Sequence, residues 1–235
     1  MKAYPVTHTG LVRKQNEDTV RVSQIVDGLY ILADGMGGHL AGEIASSMTA
    51  DVLERALKDR QPSTEALRDA IMQANAKVYE KQLSDPEMRG MGTTLTVLWE
   101  GPDYVYIGHV GDSRAYLLRE RSFRQMTEDH SMVGELLRSG AITEEAARTH
   151  PYRNVITQAV GTDEKLQPDV FRIIKNKGDL WLLCSDGLTD MVEDDRIIQT
   201  LVMHLPKEAV LQLLQLALEG GGKDNISAML LEVEA

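Results

Sequence analysis

Cysteine is almost absent: Cys184 is the only one among 235 residues. No disulfide can close within the chain, and a thiolate metal site is disfavoured. Cys184 stands in the apolar run "LWLLCS", the setting of an inert core residue. Long hydrophobic runs are also missing, since no stretch approaches 18 consecutive apolar residues and "MKAYPVTHTG" has no signal-like apolar segment. A soluble, cytoplasmic protein without membrane contact is the expectation. Positive charge is in short supply, with 25 Lys and Arg against 36 Asp and Glu, a net charge of -11 and a pI near 5.0. That balance excludes a protein that binds nucleic acid by neutralising its phosphates. The acidic surplus fits either a solvated surface or carboxylates held together by cations, and composition does not separate the two.

What remains is an ordinary globular chain, 43% apolar and 26% charged, long enough to bury roughly 70% of its unfolded surface. A single domain over 1–235 is expected. Strand-like runs at 20–26 and 29–33 flank Asp27-Gly28, read as a hairpin turn. Helical stripes follow from Ala41 to about Arg60, and from Thr64 to Leu83 with Ser63 as cap. Strands at 92–100, 103–111, 114–120 and 122–126 are joined by connections short enough to force antiparallel pairing. The polar segment 130–160 reads as a surface flap with a short helix near Thr143 to Arg148. Strands at 169–174 and 179–185, helices at 194–203 and 206–219, and a last strand at 226–233 complete the chain. Strands in runs and helices in runs give an α+β class with antiparallel sheets.

Three apolar strands end on aspartate: "LYILADG" at Asp34, "VYIGHVGDS" at Asp112 and "LWLLCSDG" at Asp186. Asp224 in "GGKDNIS" and Asp18 in "RKQNED" stand just before strands. In an antiparallel sheet the end of one strand lies beside the start of its neighbour, so these five can meet. One Asp-Gly after a strand is ordinarily a turn whose side chain bonds the backbone. Five at strand boundaries require repeated coincidence, and "GMGGH" has more glycine than a hairpin needs. Gathered carboxylates repel unless cations compensate them, and all-oxygen ligation suits Mg²⁺ or Mn²⁺. Nucleotide motifs fail here. A G-x-G-x-x-G from Gly35 meets Leu40 at its last position, and neither a G-K-[ST] nor an EF-hand loop is present.

The ordered set "GLVRKQNED", "LADGMGGHLAGE", "MGTT", "GHVGDSRAYLL", "LCSDGLTD" and "GGKDNIS" resembles the metal-dependent serine/threonine protein phosphatases (PPM, type 2C), in their compact bacterial form. The resemblance runs from about residue 9 to 233. It implies an α-β-β-α sandwich of two antiparallel sheets flanked by helices, with two Mn²⁺ or Mg²⁺ ions at one end and a weaker third. By motif position it implies that Asp34 bridges the two ions. Asp186 and Asp224 then lie on one side, Asp18 and the Gly35 carbonyl on the other, with Glu17 acting through water. Arg13 would bind the substrate phosphate, Asp112 would hold the third ion with Asp186, and Asp163 is a further candidate ligand. The reaction implied is hydrolysis of phosphoserine and phosphothreonine by hydroxide held between the two ions, without a phosphoenzyme.

Some family members carry histidine two residues after the bridging aspartate; here Met36 stands there. The general acid is then His39 or a water, and His39 has either a substrate-side or a structural role. Ser113 and Arg114 read as structural. His8, His109, His130, His150 and His204 lack carboxylate or thiol partners at ligand spacing and read as packing or surface groups. Gly134, Gly140 and Gly161 are candidate hinges of the flap. The implied partners are phosphorylated proteins, targets of a bacterial serine/threonine kinase or the kinase itself, met by a monomer. Two other readings stay open: a non-catalytic regulatory module on the same fold, and a two-metal hydrolase of another phosphoester.

Overall fold

The structure is a computed structural model describing residues 1–37 and 41–234. One sheet has the order β1 (Lys2–His8), β11 (Ile226–Glu232), β10 (Leu180–Cys184), β7 (Arg114–Arg119) and β8 (Ser122–Gln125). The other has β2 (Asp18–Val22), β3 (Leu29–Met36), β5 (Leu95–Glu100), β6 (Tyr104–Val110) and β9 (Asp169–Ile174), with β4 (Gly92–Thr93) paired to the end of β3. Every pairing is antiparallel.

The period-2 alternation of side chains explains the layering. Along β3, Leu29 and Ile31 face the helices α1 (Ala41–Leu57) and α2 (Thr64–Ser84), while Tyr30 and Leu32 face the other sheet. Along β10, Trp181 and Leu183 fill the space between the sheets, and Leu182 and Cys184 pack under α6 (Asp194–Met203) and α7 (Pro206–Glu219). Both faces of these strands are covered, which is why they read as unbroken apolar runs. The result is the α-β-β-α sandwich that the resemblance implies, with three apolar layers. Cys184 is fully buried, and burial pushes its thiol up to about 12.

Several boundaries differ from expectation. β2 stops at Val22 because the Ser23 hydroxyl accepts the amides of Ile25 and Val26, at 3.2 and 3.0 Å. The hairpin expected at Asp27-Gly28 is therefore a loop over 23–28, with Val26 tucked into the helix-facing core. α1 ends at Leu57, three residues short of Arg60, and Asp59 turns left-handed at φ 61. β1 was not expected. It is an edge strand bonded only to β11, where Pro5 is tolerated and the apolar alternation is weak. Within the polar segment, α3 (Met132–Arg138), capped by Ser131, precedes α4 (Glu144–Arg148).

The topology brings the aspartates to one end. Asp18 opens β2 directly opposite Asp34 near the end of β3. The end of β10 lies beside the beginning of β11. The antiparallel pairing expected from the short link between 103–111 and 114–120 does not form: at 111–113, between β6 and β7, the chain passes from one sheet to the other and carries Asp112 across.

Candidate metal centre

Asp34 is held by its backbone. The Thr94 hydroxyl accepts its N–H at 3.0 Å, and the Thr93 hydroxyl donates to its carbonyl at 2.8 Å. The Thr94 N–H donates to that same carbonyl at 2.9 Å. The adjacent Gly35 admits no side chain. A Cβ there would lie 2.2 Å from the Gly42 carbonyl oxygen and 2.5 Å from that of Glu17. The end of β3, the residue before β2 and the first turn of α1 thus meet on one glycine.

The second sheet edge contributes Asp186, first residue of the short helix α5 (Asp186–Thr189), and Asp224, two residues before β11. Ser185 links the sheets, donating to Asp18 Oδ2 at 3.2 Å and accepting the Ser227 N–H at 3.0 Å. Asn225 fastens the segment ahead of β2. Its Oδ1 accepts the Glu17 N–H at 2.8 Å, and its Nδ2 donates to the carbonyls of Thr9 and Gln15 at 3.0 and 2.8 Å. Arg13, on that segment, donates to Asp224 Oδ2 at 2.7 Å.

Burial, followed by the charges of Asp18, Asp186, Asp112 and Asp224, holds the Asp34 carboxyl well above the usual range. Asp186 is raised likewise, by burial and then by Asp112, Asp190, Asp224 and Asp18. Burial pushes Asp18 up to about 6 against hydrogen bonds from Ser227, Ser185 and Asp34. Asp112 is pushed up to about 6 by burial and then by Asp129. Burial also raises Glu17, opposed by Arg13. Among the described residues, the buried side-chain atoms without a hydrogen-bond partner are Thr49 Oγ1 and Trp181 Nε1 elsewhere in the molecule and three carboxylate oxygens in this cluster: Glu17 Oε1, Asp18 Oδ1 and Asp186 Oδ1.

Unpaired acceptors among mutually repelling carboxylates are what a divalent cation with oxygen ligands satisfies. Among the described residues no three His, Cys, Asp or Glu side chains already close on a common point. The case for a cation therefore rests on the orphaned oxygens and the crowding of charge.

The structure brings together Asp18, Asp34, Gly35, Asp186, Asp224, Asp112, Glu17 and Arg13. Asp163 makes a different contact. It is exposed, and its carboxylate accepts the Lys165 N–H at 2.8 Å. His39 lies outside the described residues. Ser113 and Arg114 are structural as expected: Ser113 bonds Thr94 at 2.8 Å, and Arg114 grips Asp129 through Nε and Nη2 at 3.0 and 2.7 Å.

Two expectations need correction. His130 does have a carboxylate partner, Asp169 at 3.2 Å, which is 39 residues distant in the chain and invisible to local spacing. Of the candidate hinges, Gly161 is packed so that a Cβ would lie 2.1 Å from Val78 Cγ1, and Gly134 would meet the Asp129 carbonyl oxygen at 2.5 Å. Crowding excludes a side chain at both, Gly161 also standing at φ 88, and of the three only Gly140, at φ 71, stands in open space. Sequence reasoning missed Asn225, Ser185, Thr93 and Thr94 as individual residues. The available signal was confined to Ser185 and Asn225, each set between an aspartate and an apolar strand.

Known proteins resemble the chain over nearly its whole length. A family profile described as protein phosphatase 2C matches residues 11–219. The serine/threonine protein phosphatase PstP of Mycobacterium tuberculosis is 40% identical over 227 residues, covering 95% of this chain and 43% of that protein. The chain thus spans less than half the length of that relative. The serine/threonine phosphatase stp of Listeria monocytogenes is 39% identical over 236 residues, covering 96% of this chain and 93% of that one. A crystal structure of the mycobacterial PstP superposes with a TM-score of 0.93 at 37% identity, covering 100% of this chain and 99% of that chain. A PstP catalytic domain crystallised with two manganese ions gives a TM-score of 0.90 at 35% identity, covering 100% of this chain and 98% of that one. The chain belongs to the protein phosphatase 2C family.

Proposed function

We propose that this chain is a protein serine/threonine phosphatase, a hydrolase that releases phosphate from phosphoserine and phosphothreonine in proteins. The observation that carries this reading is the set of orphaned oxygens on Glu17, Asp18 and Asp186 around half-buried Asp34, with Arg13 at the rim. The names of the relatives support the substrate class.

In this reading Asp34, Asp18, the Gly35 carbonyl, Asp186 and Asp224 hold two Mn²⁺ or Mg²⁺ ions, with Glu17 acting through water and Asp112 joining Asp186 at a weaker third. Bound, the ions offset the carboxylate charge, polarise the phosphoryl group and activate water. Arg13 supplies a planar fork of donors for the phosphoryl oxygens, exchanging its contact with Asp224 for the substrate. Water's oxygen forms the new bond to phosphorus in line as the bond to the serine or threonine oxygen breaks, and that oxygen leaves with a proton. His39 or a water remains the candidate for delivering it, and Asp163 is kept as a further candidate ligand.

Residues 1–235 act as one catalytic unit, with 130–160 as a flap beside the site. The partners in this reading are phosphorylated targets of a serine/threonine kinase, or that kinase, met by a monomer in the cytoplasm. The acidic charge of -11 supports the exclusion of nucleic acid. Among the described residues no helix is long and apolar enough to cross a membrane.

The Asp34→Asn variant tests the assignment. Phosphate release falls by at least about a thousandfold and Mn²⁺ binding, followed by calorimetry, weakens sharply. Near-normal turnover would remove Asp34 from the centre.

A further inference from the structure

The segment carrying Arg13 displays two apolar side chains to water. Leu11 and Val12 are 65% and 66% exposed. Their backbone is nevertheless pinned. The Leu11 N–H donates to the Gly222 carbonyl at 2.7 Å, and Asn225 holds the carbonyls of Thr9 and Gln15 on either side. Asn16 Nδ2 donates to Thr7 Oγ1 at 2.8 Å. Gly10, at φ 81, passes so close to Asp224 that a Cβ would lie 2.2 Å from its carbonyl oxygen. A single exposed apolar residue needs no explanation. Two adjacent ones, held on a tied segment immediately before the arginine that faces the carboxylates, form a built surface continuous with the site.

We propose that Leu11 and Val12 form an apolar rim that takes the side chain flanking the phosphorylated residue of a protein substrate. The proposal rests on the phosphatase reading. A phosphoryl group at Arg13 fixes the peptide beside this segment, and consecutive residues of an extended peptide are only about 3.5 Å apart. The immediate neighbour of the phosphorylated residue is then within reach of Val12 and Leu11. An apolar neighbour removes two exposed side chains from water together with its own surface, whereas a polar one gains nothing there.

The test uses the full chain with Mn²⁺ and phosphothreonine peptides that differ only in the flanking residue, Leu, Ser or Glu, placed before or after the phosphothreonine. The unaltered protein favours Leu over Ser by about fivefold in kcat/KM at one of the two positions. Val12→Ser and Leu11→Ser bring that ratio towards one, and Val12→Lys moves the preference to Glu. Equal kcat/KM for all peptides, or ratios unchanged in every variant, overturns the rim while leaving the phosphatase reading intact. No phosphate release from any peptide by folded, metal-loaded protein removes the phosphatase reading and the rim with it. Concentration-dependent dimerisation abolished by Val12→Ser would assign the surface to a second copy of this chain and overturn the proposal.

Discussion

Asn225 shows how one residue fixes the approach to the centre. It is 5% exposed and ties Thr9, Gln15 and Glu17 to the start of β11. Asn225→Ala leaves a buried N–H and two carbonyls without that partner, a cost of about 2 kcal/mol, and frees the segment that carries Arg13 and Glu17. The melting temperature is expected to fall by several degrees, and KM for a phosphopeptide to rise about tenfold. A variant with unchanged melting temperature and KM would show that the tie does not matter. The aspartates were legible in the sequence because each sits at a strand boundary, a local signal. Asn225 was not, because Glu17 lies 208 residues away in the chain. His130 with Asp169 escaped for the same reason.

At the scale of elements, β6 carries a titrating core group. His109 is fully buried between Thr96 and the Glu128 carbonyl and faces His130, Asp129 and Asp169. Burial, followed by the charge of His130, pushes its imidazole down to about 4 from the ordinary 6.5. The unfolded chain therefore binds a proton in the window between those values that the folded chain refuses. The stability from neutral His109 is complete above pH 6.5 and is lost as pH falls through that window to about 4. The loss amounts to about 3 kcal/mol. Denaturant melts of the unaltered protein and of His109→Gln across this range check it. The variant has the shallower dependence, and parallel curves would contradict the account. Elements with strong periodicity, such as α6 and α7, were legible to the residue. β1 was not, since an edge strand half open to water carries little alternation. The end of β2 was hidden by the Ser23 hydroxyl, which captures two amides that the ladder would have used.

At the scale of the molecule, two twice-covered sheets turn separate strand ends into one acidic rim. β3 and β10, apolar on both faces, direct Asp34 and Asp186 to the same end, where Asp18 and Asp224 arrive on antiparallel neighbours. The sandwich was legible as an α+β antiparallel pattern because the strands come in runs. Which strands share a sheet was not legible, because the crossing at 111–113 looks like any short turn. Folding brings these carboxylates together at a cost in repulsion that bound cations would offset, so in the proposed reading the centre and its activity stand or fall with the metal. The most direct measurement is phosphate release from a phosphothreonine peptide by protein stripped with EDTA, before and after Mn²⁺ is restored. The account predicts no release from the stripped protein and full recovery with Mn²⁺. Equal release with and without metal, or none at any Mn²⁺ concentration from folded protein, would contradict it.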